Sequence, residues 1–236
     1  PRDAGDSGER LRGPNRWSSG GTTTRLREAT EAWLAAWRQV SEKLVRLMAL
    51  ALGLSADGLR PAIGSRPHFQ AKLAYYRASS GSVGAHTDSG LLTLVWQDAS
   101  GLEVLVDGTW TEVAPLERSL VCNIGEMLQL ATGGYFLATP HRVRAPHKSR
   151  LSLPYFWDPS LDVVVDFSDK VGVPWSRNSS NPSSTPLLSQ STNNNRLIRA
   201  YGHNAFKSLA RSHPSVFAKH HPDLRLLSDG TIEKKD

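Results

Sequence analysis

Apolar residues between positions 26 and 52 recur every three or four positions. This apolar stripe consists of Trp33, Trp37, Val40, Leu44, Leu47 and Ala51. Such spacing places the side chains on one face of a helix, and Gly53 is suited to end that helix. The pattern therefore predicts a long amphipathic helix whose apolar stripe packs against a core.

From about residue 71 the period of the apolar pattern changes to two. Short runs rich in Val, Leu, Tyr, Phe and Thr cover residues 72–77, 91–97, 102–106, 109–113, 119–125, 141–146 and 150–157. Asp107 and Gly108 separate two of these runs, which predicts a tight hairpin. Many short strands without helices between them favour a β-sandwich or barrel over a parallel α/β sheet.

The C-terminal third contains a segment of low complexity followed by a helical pattern. Residues 176–195 are rich in Ser, Asn and Pro, which is typical of a flexible loop. Residues 204–221 predict two short helices, with Pro214 in the first turn of the second. These patterns divide the chain into an N-terminal helical segment (1–70), a β-rich core (71–168), a flexible loop (169–200) and short C-terminal helices with a tail (201–236).

Composition narrows the class of protein. The chain has 236 residues, of which 39% are hydrophobic and 21% charged, as in a globular protein large enough to bury a core. It has neither an apolar run long enough to span a membrane nor a secretory signal at its start. Because the sequence begins at Pro1 and not at Met, we expect an upstream segment to be missing.

The number of cysteines and the net charge bear on the cellular location and the partners of the protein. Cys122 is the single cysteine, so no internal disulfide can form. Its apolar neighbours predict a small core residue, and a reducing, cytoplasmic location fits. The formal net charge is +6, but Lys and Arg are scattered without a basic stripe, so no nucleic-acid partner is expected.

The segment 84–90 contains a histidine and an aspartate two positions apart, His86 and Asp88. If this segment is extended, both side chains point to the same side of the strand. An imidazole and a carboxylate suit Fe(II), Zn or Mn, but a third ligand has to come from elsewhere in the chain. A second His-x-Asp pair, His221 and Asp223, contains a proline and lies in the helical tail, which indicates a structural role.

Downstream, His141 opens a strand-like run and is a better third ligand than His147, which follows a proline in a polar turn. Arg150 and Ser152 lie on the next strand and share one face. A guanidinium and a hydroxyl on one face can bind a carboxylate, and the arginine can contribute two parallel hydrogen bonds.

These motifs resemble the isopenicillin N synthase-like branch of the Fe(II)- and 2-oxoglutarate-dependent oxygenases. The resemblance is carried by "GAHTDSGLLTLVWQD", "GLEVLVDGTWTEVAP", "LVCNIGEMLQLATGGYFLATPHRV" and "RLSLPYF" and is densest over 73–158. It implies a mainly β fold with flanking helices, a double-stranded β-helix (distorted jelly roll) packed on the long N-terminal helix. The β-rich core would then be the catalytic core of an enzyme.

The resemblance also implies roles for individual residues. His86, Asp88 and His141 would bind iron, and the 2-oxoglutarate site would consist of Arg150, Ser152 and Tyr76. Ala74 stands where many members have an asparagine, while Asn123 and Gly125 match a stretch with a structural role. Phe156 is expected to line the substrate pocket.

The implied reaction is the oxidation, most simply the hydroxylation, of a small organic molecule by dioxygen, with release of succinate and carbon dioxide. Two alternatives remain open: an Fe(II) oxidase that does not need 2-oxoglutarate, and a catalytically silent β-barrel fragment. The expected partners are the substrate and dioxygen, without nucleic acid or membrane, and the expected oligomeric state is a monomer.

Overall fold

The computed structural model describes residues 11, 15–17, 19–164, 200–227 and 232–235. The loop predicted for 169–200 lies outside these residues except for Ala200, which forms an isolated bridge with Val164. No helix in the described ranges combines the length and apolarity needed to cross a bilayer.

Helix α1 spans Gly21–Ala51 and packs across two strands of the main sheet. The predicted long helix is thus confirmed, but its predicted buried stripe is wrong in part. Val40 and Leu47 are 38% and 61% exposed, whereas Ser41, Val45 and Ala49 are buried. The small side chains of Ser41 and Ala49 let the helix approach the sheet closely, so the line of contact falls beside the row of largest apolar residues.

The remaining elements are short. The helices are α2 (Arg60–Ile63), α3 (Glu126–Ala131), α4 (Tyr201–Ser212) and α5 (Pro214–His220). The strands are β1 (His68–Ala71), β2 (Ala74–Tyr76), β3 (Val83–His86), β4 (Leu92–Gln97), β5 (Leu102–Val106), β6 (Thr109–Glu112), β7 (Val121–Ile124), β8 (His141–Val143), β9 (Arg150–Asp158), β10 (Leu224–Leu226) and β11 (Ile232–Lys234). Each predicted β-run contains a strand. Strands β1, β3, β10 and β11 lie outside those runs, although β3 overlaps the segment 84–90 whose extended form was considered for the His-x-Asp pair.

Nine of the strands form two antiparallel sheets, and in each sheet strands distant in sequence are neighbours. The main sheet has the order β1-β9-β4-β7 with β2 also paired to β9, and the second sheet has the order β3-β8-β5-β6. From β2 to β9 the chain therefore crosses from one sheet to the other at every connection except the β5–β6 hairpin, which is the topology of a double-stranded β-helix. The predicted fold class is confirmed.

Two turn features agree with the sequence. Asp107 and Gly108 join β5 to β6, and both have a positive φ, 48° and 78°. This is the backbone that a two-residue hairpin turn requires. Pro214 lies in the first turn of α5, as predicted.

Pro154 lies in the middle of β9, where a proline would normally remove a ladder hydrogen bond. Proline is tolerated here because it faces the gap between β1 and β2, where the ladder is interrupted. Its carbonyl still accepts a hydrogen bond from the Lys72 N–H. Strand β9 can therefore continue to Asp158 and carry side chains along the full length of the interior.

Cys122 is exposed, so its prediction as a core residue is wrong. It lies on β7, whose buried position is the next residue, Asn123. Alternation along the strand places the thiol on the opposite side from Asn123.

Candidate metal and cosubstrate site

Strands β3 and β8 bring two distant histidines together. His86, the last residue of β3, and His141, the first of β8, are direct partners in the antiparallel ladder. Their ring centroids lie 4.3 Å apart. Asp88 completes the group: its Oδ1 is 3.7 Å from His86 Nε2, and its Oδ2 is 3.6 Å from His141 Nε2. The ligand atoms of the three residues all lie within 4.8 Å of one another.

Both imidazoles are oriented by their second nitrogen. His86 Nδ1 lies 2.9 Å from the Gly84 carbonyl oxygen, and His141 Nδ1 lies 3.1 Å from the Thr139 carbonyl oxygen. Because a carbonyl only accepts, each Nδ1 carries the hydrogen and each Nε2 presents a lone pair to the group. This arrangement is typical of histidines that bind metal ions.

The charge state of the group also suits a cation. Burial and the neighbouring His141 lower the pKa of His86, which favours the neutral ring that metal coordination needs. The Asp88 carboxyl is 8% exposed, and its Oδ2 is buried without a hydrogen-bond partner in the described part of the chain. A buried carboxylate oxygen without a donor is costly unless a cation occupies the space beside it.

Asp88 does not lie in an extended strand, because β3 ends at His86. Helix α3 instead holds the turn that follows. The Glu126 N–H donates to the Asp88 carbonyl at 2.7 Å, and the Thr87 hydroxyl donates to the Glu126 carboxylate. Asp88 therefore reaches the histidines through a braced turn and not through strand alternation.

His141 is braced from the outer face of its sheet. The next residue, Arg142, points the other way and donates to the buried Glu103 of β5 at 2.6 Å. Its guanidinium also lies 4.2 Å from the centre of the Trp110 ring. These contacts fix β8 against its neighbours and so fix the position of His141.

Arg150 begins strand β9 and is 1% exposed. Its Nε donates to the Ala99 carbonyl at 3.0 Å, and its Nη2 donates to Gln97 Oε1 at 2.8 Å. Nη1 is buried and has no hydrogen-bond partner among the described residues. Burial lowers the pKa of Arg150, an effect that Tyr76 opposes, but the guanidinium of an arginine stays protonated. The site thus holds a buried positive charge with one free donor group.

The comparisons with known proteins agree with this geometry. The sequence profile described as the 2OG-Fe(II) oxygenase superfamily matches residues 65–159, a range that contains all three members of the His-Asp-His group and Arg150. This segment belongs to the 2OG-Fe(II) oxygenase superfamily.

Curated relatives and solved structures are also similar to this chain. A homoarginine-6-hydroxylase of Glycine max is 32% identical over 177 residues, which cover 69% of this chain and 53% of the relative. The crystal structure of JOX2 in complex with 2OG, Fe and JA has a TM-score of 0.61 and 25% identity, covering 67% of this chain and 49% of that one.

A crystal structure of a full-length Neurospora crassa protein in complex with alpha-KG and thymine has a TM-score of 0.65. Its identity is 20%, over 85% of this chain and 61% of that one, so it bears on the fold alone. The chain spans about half the length of the curated relatives it matches.

In the oxygenase domain, the residues expected around Arg150 are its strand neighbours. Tyr76 lies opposite Arg150 in the β2–β9 ladder, and the guanidinium carbon is 5.1 Å from the centre of its ring. Ser152 is 4% exposed, with its Oγ 3.4 Å from the Trp96 carbonyl. Ala74 lies opposite Ser152, so its methyl group leaves that position without a polar contact.

A cleft of about 290 Å³ adjoins His86 and Asp88 and is lined by Phe156 and Asp158. These two share a face of β9 with Arg150 and Ser152, because residues two apart on a strand point the same way. One face of β9 therefore connects the arginine site with the cleft beside the His-Asp-His group.

The other histidines lie outside the group. His147 is exposed, and His221 packs against Phe206 and Phe217 at 4.9 and 5.6 Å between ring centroids. In the described ranges, the only cluster able to hold a metal ion is that of His86, Asp88 and His141. His213, to which the sequence assigned no role, borders the cleft.

Sequence reasoning missed several residues of the site. Gln97, Glu126, Asp158 and Tyr201 each contact a predicted site residue or line the cleft. Their positions follow from the pairing of strands and the packing of helices. No spacing pattern in the sequence predicts that they lie at the site.

Proposed function

We propose that the protein is a non-haem Fe(II)- and 2-oxoglutarate-dependent dioxygenase that hydroxylates a small organic molecule and releases succinate and carbon dioxide. The observation that carries the proposal is the convergence of two Nε2 lone pairs on a buried carboxylate whose Oδ2 has no donor among the described residues. Two further observations support it: residues 65–159 match the 2OG-Fe(II) oxygenase superfamily, and Nη1 of Arg150 has no hydrogen-bond partner among the described residues.

His86, Asp88 and His141 would hold the metal. Two imidazoles and one carboxylate on one side of an ion are the donor set of non-haem Fe(II) oxygenases, and they leave positions open for other ligands. Bound iron supplies the redox chemistry for activating dioxygen. The protein contributes the fixed Nδ1–H tautomers of both histidines, the braced turn at Asp88 and the burial of His141 away from water.

Arg150 would bind the distal carboxylate of 2-oxoglutarate, with Ser152 and Tyr76 beside it. A dicarboxylate placed in the interior needs a matched positive charge, because an unpaired buried charge costs several kcal/mol. Arg150 provides this charge and offers the free Nη1 as a donor. A charge-assisted hydrogen bond of this kind is among the stronger ones in proteins.

The substrate would enter the cleft beside His86, against the ring of Phe156. A cleft of about 290 Å³ fits a small molecule. Homoarginine, named in the curated relatives, is the first compound to test. We also propose that the protein acts as a monomer. The single cysteine supports a cytoplasmic location, and the scattered charges support the absence of a nucleic-acid partner.

The test is succinate release from 2-oxoglutarate under air, measured with added Fe(II) and a panel of small metabolites that includes homoarginine. We expect turnover to disappear in Asp88→Ala and His141→Ala, because each removes one of three ligands. Asp223→Ala, in the second His-x-Asp pair, is the matched control and should keep wild-type turnover. Loss of activity in the Asp223 variant, with both other variants active, would overturn the assignment.

Oxygen uptake and ligand binding, measured beside succinate release, separate the alternatives. Oxygen uptake that needs substrate but not 2-oxoglutarate identifies an oxidase of the isopenicillin N synthase type. Absence of both iron and 2-oxoglutarate binding identifies a catalytically silent fragment.

A further inference from the structure

The guanidinium of Arg150 is anchored on two of its three nitrogen groups. Nε donates to a backbone carbonyl, that of Ala99, and Nη2 donates to a side chain, that of Gln97. Because the group is planar, these two hydrogen bonds together fix both its plane and its rotation. They leave Nη1 as the donor group without a partner among the described residues.

The Gln97 amide is itself held in one orientation. Its Nε2 donates to the Val113 carbonyl at 2.8 Å, so its Oε1 faces Arg150. Reversing the amide would set its NH₂ against the guanidinium and its oxygen against a carbonyl, which loses both hydrogen bonds. Gln97 is 7% exposed and lies opposite Ser152 in the β4–β9 ladder, so its backbone is fixed as well.

We propose that Gln97 is a positioning residue for 2-oxoglutarate: it holds the Arg150 guanidinium in the orientation that keeps Nη1 available to the distal carboxylate. The inference rests on the proposed function. Gln97 acts through Arg150 and not by contact with the reacting atoms, so its effect falls on the cosubstrate and not on the metal.

The physical consequence of losing Gln97 is specific. Nη2 would lose its partner in the interior, and the guanidinium would lose one of the two hydrogen bonds that fix its orientation. Rotation about the last side-chain bonds then competes with cosubstrate binding, and Nη2 competes with Nη1 for the carboxylate. We expect the dissociation constant for 2-oxoglutarate to rise about tenfold, the effect of one hydrogen bond to a charged group.

The test uses Gln97→Met, which keeps the length of the side chain but cannot accept from Nη2. Binding of 2-oxoglutarate is titrated with Mn(II) in place of iron to prevent turnover, and Mn(II) affinity is measured separately. We expect the tenfold loss for 2-oxoglutarate with Mn(II) affinity unchanged within twofold. In steady state, the KM for 2-oxoglutarate should rise while kcat at saturation stays within twofold.

Gln129→Met is the matched control. Gln129 Oε1 accepts from the Ala138 N–H at 2.7 Å, so the variant removes a structural amide contact outside the Arg150 site. It should leave 2-oxoglutarate affinity at the wild-type value. If Gln97→Met does not fold, Gln97→Glu carries the test: the new carboxylate competes with 2-oxoglutarate for Arg150, and affinity should fall by at least as much.

The outcomes are distinguishable. Wild-type protein that binds Mn(II) but not 2-oxoglutarate contradicts the proposed function itself. Wild-type protein that binds both, together with a Gln97 variant of unchanged 2-oxoglutarate affinity, overturns the positioning role alone. An equal loss of Mn(II) and 2-oxoglutarate affinity also overturns it, because that pattern indicates a general structural defect.

Discussion

The carboxyl group of Asp158, the last residue of β9, is buried beside the cleft. It is 5% exposed and accepts hydrogen bonds from the Tyr201 hydroxyl and the Leu91 N–H. Burial raises the pKa of Asp158 to about 7, and nearby Asp88 adds to the rise, while the two hydrogen bonds oppose it. The carboxyl group thus links helix α4 to Leu91, the residue between the metal-binding turn and strand β4.

This pKa shift predicts a pH-dependent stability. Because the pKa is higher in the folded than in the unfolded chain, the contribution of the neutral carboxyl is fully present below about pH 4 and is lost as the pH rises through 7. The free energy of unfolding of the metal-free protein should fall relative to that of Asp158→Asn over this interval, by at most about 1.4 kcal/mol per pH unit. Urea unfolding at several pH values measures the difference, and parallel curves for the two proteins would refute the shift.

At the scale of elements, the metal-binding turn and helix α3 meet backbone to backbone. The Gly125 N–H donates to the Leu91 carbonyl at 2.9 Å, and the Met127 N–H donates to the Gly90 carbonyl at 3.1 Å. A Cβ on Gly125 would collide with the Gly90 carbonyl, and a Cβ on Gly90 would collide with the Asp158 carboxyl. Neither position has room for a side chain, because a neighbouring group lies directly against each glycine. For Gly125, this close contact is the structural role of the Asn-x-Gly stretch.

We accordingly expect Gly125→Ala to lower the free energy of unfolding by about 1–3 kcal/mol, as overpacking at a rigid contact does. Gly84→Ala is the control, since a Cβ at Gly84 meets no atom within 4 Å. It lies two residues before His86, and its carbonyl remains available to the His86 ring. Urea unfolding of both variants is the measurement; equal stability of the two would show that the turn yields easily.

At the scale of the whole molecule, the sequence predicted what depends on local pattern. Alternation located the strands, Asp107-Gly108 located a hairpin, and the spacing of His86 and Asp88 selected a candidate site. It could not show which side of α1 is buried, because the apolar stripe is wider than the contact and leaves Leu47 outside. Strand β1 was missed because four residues with a mixed pattern carry little signal.

Long-range pairing was equally beyond the sequence. The resemblance grouped His86 with His141, but their direct opposition depends on the register of β3 and β8. Gln97 had no recognisable motif, since a glutamine at the end of a strand acquires its role only when β9 places Arg150 beside it. What remained hidden is the support around the site, which distant segments assemble.

The central claim is that His86, Asp88 and His141 bind one ferrous ion in a site that also accepts 2-oxoglutarate. Anaerobic titration with Fe(II), followed by 2-oxoglutarate, tests it most directly, because chelation of iron by the cosubstrate produces a visible charge-transfer absorbance. We predict one ion per chain and this absorbance for wild-type protein and for the control His147→Ala, and neither for His141→Ala. Stoichiometric iron binding and the same absorbance in His141→Ala would contradict the account.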